Sequence, residues 1–153
     1  MLVGIISDTH GLLRPEAIDA LHGSDLIIHA GDVGKPMVLD ELREIAPVLA
    51  VRGNIDTQPW AAALPDTEVV CAAEHRFYVL HDRSQLKLDP AACGFAAVVY
   101  GHTHREAIEA REGVLYLNPG SAGSRRFRLP ISVARLYLSG NSIKPEIISL
   151  PAS

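Results

Sequence analysis

The sequence predicts an α/β fold: two packed, mixed β-sheets with helices on the outside. Three observations predict it. In the first half, short apolar runs are each followed by a polar, glycine-containing loop and then a helix signal, an alternation that implies parallel strands. In the second half, apolar runs come in pairs joined by short polar turns, which read as hairpins. The runs also end repeatedly on Asp, Asn or His, and the carboxyl ends of strands are where open α/β sheets bind ligands.

The elements follow in order. Residues 2–7 are a near-continuous apolar run, suited to a central strand covered on both faces. Asp8-Thr9-His10-Gly11 breaks it, and Pro15 fits the first turn of a helix bearing Ala17, Ile18 and Leu21, with Gly23 as its stop. Residues 25–29 are the second strand, Ala30-Gly31-Asp32-Val33-Gly34 the second loop. Pro36 opens a second helix, with Val38, Leu39, Leu42 and Ile45 on its apolar face, and Pro47 ends it. Residues 48–51 form the third strand, followed by Arg52-Gly53-Asn54-Ile55-Asp56. Runs 67–72 and 77–80 make a hairpin around Glu74-His75-Arg76. A short helix is expected over 90–95, then a buried strand over 96–100 leading into Gly101-His102-Thr103-His104. Further hairpins are expected over 107–117, around Glu112-Gly113, and over 131–150, around Gly140-Asn141. Asn118-Pro119-Gly120-Ser121 is a turn signal. The second half is thus expected to be mostly antiparallel.

At 153 residues the chain fits a single domain with a real core. Its 48% hydrophobic and 21% charged content is ordinary for a globular protein. A net charge of −4 and a pI near 5.9 argue against general nucleic-acid binding, which leaves a basic footprint. No run is long enough for a membrane helix, and the first residues do not read as a signal peptide. Cys71 and Cys93 lack metal-type spacing. They read as small buried side chains kept reduced, which points to the cytoplasm.

The loop residues carry the chemistry. Asp8, His10, Asp32, Asn54, His81, His102 and His104 offer hard oxygen and imidazole nitrogen but no thiolate, a set suited to Mn²⁺, Fe²⁺ or Zn²⁺ and unlike a structural zinc site. They are too many for one ion; two divalent ions sharing a bridging carboxylate would use them well. Such a pair, set against two carboxylates and a hydroxide, leaves a net positive charge and attracts a small anion such as a phosphate ester despite the acidic chain.

In this order, Asp8-Thr9-His10, Gly31-Asp32, Gly53-Asn54, His81 and Gly101-His102-Thr103-His104 resemble the calcineurin-like metallophosphoesterases. With Asn118-Pro119-Gly120-Ser121 after them, they resemble most the small bacterial and archaeal phosphodiesterase-type members. The resemblance runs from the first strand to about Ser121. It implies a four-layer α/β/β/α sandwich with a di-metal centre between the sheets. It also implies that Asp8, His10, Asp32 and His104 hold the first metal and Asp32, Asn54, His81 and His102 the second, with Asp32 bridging. Manganese is the expected ion, with iron, zinc or nickel as alternatives. The implied reaction is in-line attack on phosphorus by a metal-activated hydroxide, with Asn54 and His102 close to the phosphoryl oxygens. The implied activity is phosphodiester hydrolysis. Phosphomonoester or cyclic-nucleotide hydrolysis, or a scaffold role of the kind this fold plays in a eukaryotic trafficking coat, stands as the alternative.

Two positions depart from the family pattern. Ile55 stands where many relatives have a histidine proposed to protonate the leaving group; the small phosphodiesterase-type members also lack that histidine, and the general acid is unassigned. His81-Asp82-Arg83 stands where His-Gly-His is common. His29 and Asp56 are read either as groups orienting the site or as packed residues. His22 and His75 read as surface residues. Arg125-Arg126-Phe127-Arg128 reads as a solvated loop or a grip on phosphate. The apolar hairpins of the second half suit either core or a homo-oligomer interface.

Overall fold

The structure is a computed structural model of the chain and describes residues 1–125 and 129–151. The expected alternation is present. Strand β1 (Leu2–Ile6), helix α1 (Pro15–Leu21), β2 (Leu26–His29), α2 (Pro36–Arg43) and β3 (Val48–Ala50) follow one another, and β1, β2 and β3 pair in parallel. Both helices start on proline at the first turn and have no side-chain cap. At seven and eight residues they are too short to stand alone, so they depend on packing. Leu21, Leu39 and Leu42 pack against Ile6 and Ile27 on one face of the sheet.

The later strands are β4 (Thr67–Ala72), β5 (His75–Leu80), β6 (Ala97–Val99), β7 (Ala107–Arg111), β8 (Val114–Asn118), β9 (Ile131–Ser139) and β10 (Ser142–Leu150). They form a second five-stranded sheet of order β4-β5-β6-β8-β7, while β9 and β10 return to the first, giving β10-β9-β1-β2-β3. Both sheets are mixed. The second half is less antiparallel than the sequence suggests, because β6 lies parallel to both β5 and β8.

The sheets face each other across a core that joins Val3, Ile5 and Ile28 to Phe77, Val79, Val99 and Leu117. Burying each of these large side chains is worth ~1.5–3 kcal/mol. Helices α1 and α2 pack on the first sheet. Among the described residues, the outer face of the second is covered by residues 82–96, which contain one 3₁₀ turn (Arg83–Gln85) and no α-helix. The helix expected over 90–95 is a single turn that Gly94 ends in the left-handed region, at φ 78°. Six residues are too few to nucleate one. The β4–β5 turn lies at Ala73-Glu74, both left-handed, one residue earlier than expected. Cys71 and Cys93 are exposed, not buried. Cys71 falls on the outward phase of the edge strand β4, and Cys93 sits in the turn before Gly94.

Candidate metal centre

Every predicted site residue follows the carboxyl end of a strand, and the strand pairing carries the loops onward together. Beyond β1 and β2 the Asp8 N–H donates to the Gly31 carbonyl at 3.0 Å, and the His10 N–H to that of Asp32 at 2.9 Å. In the second sheet the Gly101 N–H donates to the His81 carbonyl at 2.9 Å. The two rims meet where the His102 N–H reaches Asp8 Oδ2 at 3.1 Å. Glycine is required at two of these approaches: a β-carbon on Gly53 would overlap Asp32, and one on Gly101 would overlap Ser7 and meet Asp8 Oδ2 at 2.6 Å.

Asp8 is fully buried and its two oxygens are divided in role. Oδ2 accepts from the Ser7 hydroxyl at 2.7 Å and from His102 N–H. Oδ1 is left facing inward, 3.3 Å from His104 Nε2, 3.7 Å from His10 Nε2 and 3.8 Å from His81 Nε2. Asp32 is divided likewise. Oδ1 accepts from the Ile55 N–H at 3.1 Å, and Oδ2 stands between His81 Nε2 at 3.2 Å and His10 Nε2 at 3.4 Å. His81 Nδ1 lies 2.8 Å from the Ala30 carbonyl, to which it must donate; in the neutral ring Nε2 is then a bare lone pair aimed at the carboxylates.

Two groups result: Asp8, His10 and His104, and Asp8, Asp32 and His81, each with donor atoms within 4.8 Å of one another. Asp8 belongs to both, and Asp32 Oδ2 faces a histidine of each. The imidazoles pair across the site, His10 with His104 and His81 with His102, both at 5.2 Å between centroids. His102 and Asn54 form the exposed rim, with Nδ1 and Oδ1 3.2 Å apart.

The donor set fits divalent ions on two observations. Among the described residues, the buried side-chain atoms without a hydrogen-bond partner are Asp8 Oδ1, His10 Nε2, His81 Nε2 and His104 Nδ1, all from predicted site residues. Buried polar atoms are ordinarily satisfied, so such a cluster marks a place built for a ligand. The electrostatics demand positive charge. Burial raises the Asp8 carboxyl, but His10, His104, His81 and Ser7 outweigh it and hold it well below the carboxylate range. Burial likewise raises Asp32, and His10, His81 and the Ile55 N–H overcome it. In return Asp32, then Asp8, pull His10 up to about 9. His81 is also raised: burial opposes, and Asp32 and Asp8 prevail.

The backbone records the same demand. Asp8, His10, Asp32, His102 and His104 all adopt left-handed φ values between 49° and 74°, a region costly to non-glycine residues.

Surrounding residues lock the loops. His29 is wholly buried; it accepts from the Gly31 N–H at Nδ1, so Nε2–H donates to Thr9 Oγ1, whose hydroxyl passes on to the Val33 carbonyl. Burial pushes its pKa down to about 4, so it works as a neutral bracket. Asp56 accepts from the N–H groups of Val33, Gly34 and Gly53 and ties the second loop to the third. Both residues therefore orient the site and are packed as well. Asn118, also wholly buried, donates to the Gly101 carbonyl and to Thr103 Oγ1, and Ser121 Oγ donates to the Asp8 carbonyl. The Asn-Pro-Gly-Ser turn is thus the brace between the two rims. Ser7 was not legible from sequence, because nothing separates it from the strand it ends. His22 is exposed, and His75 reaches the Gly140 carbonyl away from the site. Arg125 is exposed, and Arg126, Phe127 and Arg128 lie outside the described residues.

Comparison with known proteins agrees with this geometry. Residues 1–141 match the model of the calcineurin-like phosphoesterase superfamily domain. A probable metallophosphoesterase of Methanothermobacter thermautotrophicus is 36% identical over 160 residues, covering 97% of this chain and 92% of that protein. A phosphodiesterase of Methanocaldococcus jannaschii is 28% identical over 138 residues, covering 78% and 83%. Vacuolar protein sorting 29 of Cryptosporidium parvum superposes with a TM-score of 0.80 at 22% identity, covering 97% of this chain and 95% of that one, a likeness of fold alone.

Proposed function

The chain belongs to the calcineurin-like phosphoesterase superfamily, and from that premise we propose that it is a phosphodiesterase requiring two divalent ions, manganese first among them. The observation that carries the proposal is the convergence of two unpartnered imidazole nitrogens, His10 Nε2 and His81 Nε2, on Asp32 Oδ2 and on the equally unpartnered Asp8 Oδ1. Asp8, His10, Asp32 and His104 would hold one ion; Asp32, Asn54, His81 and His102 the other. Oxygen and imidazole donors without thiolate suit manganese, iron or zinc. The chemistry such ions supply when bound is the acidification of water and the neutralisation of phosphoryl charge.

The chain's own residues do the rest. Asp8 and Asp32 are kept ionised by their neighbours. The Ala30 carbonyl keeps the His81 proton on Nδ1, away from the centre. Asn54 and His102, on the open rim, are placed to hold phosphoryl oxygens while the ester P–O bond opposite the entering water oxygen breaks. Ile55 has no proton to give, so the departing oxygen leaves on its own acidity.

The preference for diesters rests on the Methanocaldococcus relative being a phosphodiesterase. The completeness of the seven donors supports an enzyme over a scaffold. Residues 1–153 act as one domain in this reading, since both sheets share a core. No helix among the described residues is long and apolar enough to cross a membrane. With two free cysteines, the proposed setting is the cytoplasm.

The test is hydrolysis of bis-p-nitrophenyl phosphate beside p-nitrophenyl phosphate, with Mn²⁺ and then with chelator. Metal-dependent cleavage favouring the diester is expected. Cleavage of neither by protein carrying two ions, or a failure to bind ions, overturns the proposal.

A further inference from the structure

Beside Asn54 and His81 a hollow of about 590 Å³ opens between the third loop, the start of β4 and the outer end of β5. Its volume is in the range that houses an organic ligand, far more than a phosphoryl group needs. The wall is mixed. Leu80 and Tyr78, whose ring packs on Phe95 at 5.3 Å between centroids, give it apolar surface; Thr67 and Gln85 add hydrogen-bonding groups.

The charges in this wall decide what it takes. Arg52 is committed to Asp66, which accepts from its Nε at 3.0 Å and its Nη2 at 2.7 Å. Asp82 accepts from the Ser84 N–H and hydroxyl at Oδ1, and its Oδ2 lies 3.7 Å from His102 Nε2. Lys87 is left as the cation of the wall with no ion pair or hydrogen bond among the described residues.

We propose that this hollow is the subsite for the second arm of the diester, and that the arm is a polar organic group bearing a further anion, which Lys87 pairs. The inference rests on the phosphodiesterase reading of the adjoining site. Aryl diesters would fill the hollow without using Lys87, so they would be serviceable but incomplete substrates.

The probes are thymidine 3′,5′-bisphosphate, thymidine 5′-monophosphate and inorganic phosphate, titrated calorimetrically into manganese-loaded protein. The bisphosphate is expected to bind at least ~10-fold tighter than the monophosphate, the gain of one further ion pair in a partly enclosed site. Lys87→Met should bring the two within about twofold, and Thr67→Trp, which fills the hollow, should remove the advantage of the monophosphate over inorganic phosphate. Equal affinities in the unaltered protein, or an advantage that survives Lys87→Met, would overturn the proposal. Because the readout is binding, the two readings part cleanly. Lys87-dependent binding without diester hydrolysis keeps the anion subsite and removes the phosphodiesterase; hydrolysis without Lys87-dependent binding does the reverse.

Discussion

Asp8 and His102, 94 residues apart, are joined by a backbone hydrogen bond from the His102 N–H to Asp8 Oδ2. With the Ser7 hydroxyl on the same oxygen, it turns the other oxygen of Asp8 toward the histidines. Ser7→Ala removes one of these two donors. Groups that orient a ligand commonly matter ~10–100-fold in metal affinity, and a loss of about tenfold is expected in a manganese titration. An unchanged affinity would mean that the His102 N–H alone fixes the carboxylate.

Asp32→Asn and His104→Ala each delete a donor that faces the centre. Both variants should keep the far-ultraviolet dichroism of the parent and lose at least ~100-fold in kcat/KM, more than ~2.7 kcal/mol of transition-state stabilisation. Manganese-dependent turnover retained in both would sink the assignment of these residues.

Protein stripped of metal should show a defined pH dependence. His10 is raised from 6.5 to about 9 by the carboxylates, and His81 is raised with it. A raised histidine stabilises fully below its unfolded pKa of 6.5, and that stability is lost as pH climbs through the folded value. Asp8 and Asp32, depressed from 3.8, stabilise above that value and lose their contribution on acidification. Buried His29, lowered from 6.5 to about 4, works the other way and costs stability as pH falls below 6.5. The stripped protein should therefore melt highest near pH 6.5 and lower both toward pH 4 and toward pH 9–10, while manganese-loaded protein holds its Tm on the alkaline side. A stripped protein that gains stability from pH 7 to 10 contradicts these pairings.

Ile55 is 38% exposed at the rim, with its N–H held by Asp32. Ile55→His places a proton donor beside the leaving group. General acid catalysis contributes ~10²–10⁴-fold where the leaving group needs it. Alkyl esters should gain and p-nitrophenyl esters change little. A gain of the same size for both would show that the histidine acts on binding instead.

The parallel strands and their loops were legible because their signals are local. Each run ends on a residue type whose chemistry is unusual after a strand, and proline marks each helix start. What was not legible is long-range. Nothing in residues 131–150 announces that β9 will pair with β1 rather than extend the second sheet, since both edges offer the same backbone groups. The position of Lys87 in the wall depends on the path of residues 82–96, which carry no periodic pattern. The exposure of Cys71 is hidden for a related reason: Val69, Val70, Cys71 and Ala72 are consecutive and apolar, and only the register with β5 sets which phase faces the core.

The left-handed backbone at Asp8, His10, Asp32, His102 and His104 separates the interests of the fold from those of the reaction. At each of these positions glycine would relax the chain, by an amount on the order of 1 kcal/mol. Selection for stability alone would erode the donors one by one and leave both sheets intact. The architecture is thus built to outlast its chemistry, and only continued use of the centre keeps these side chains where they are.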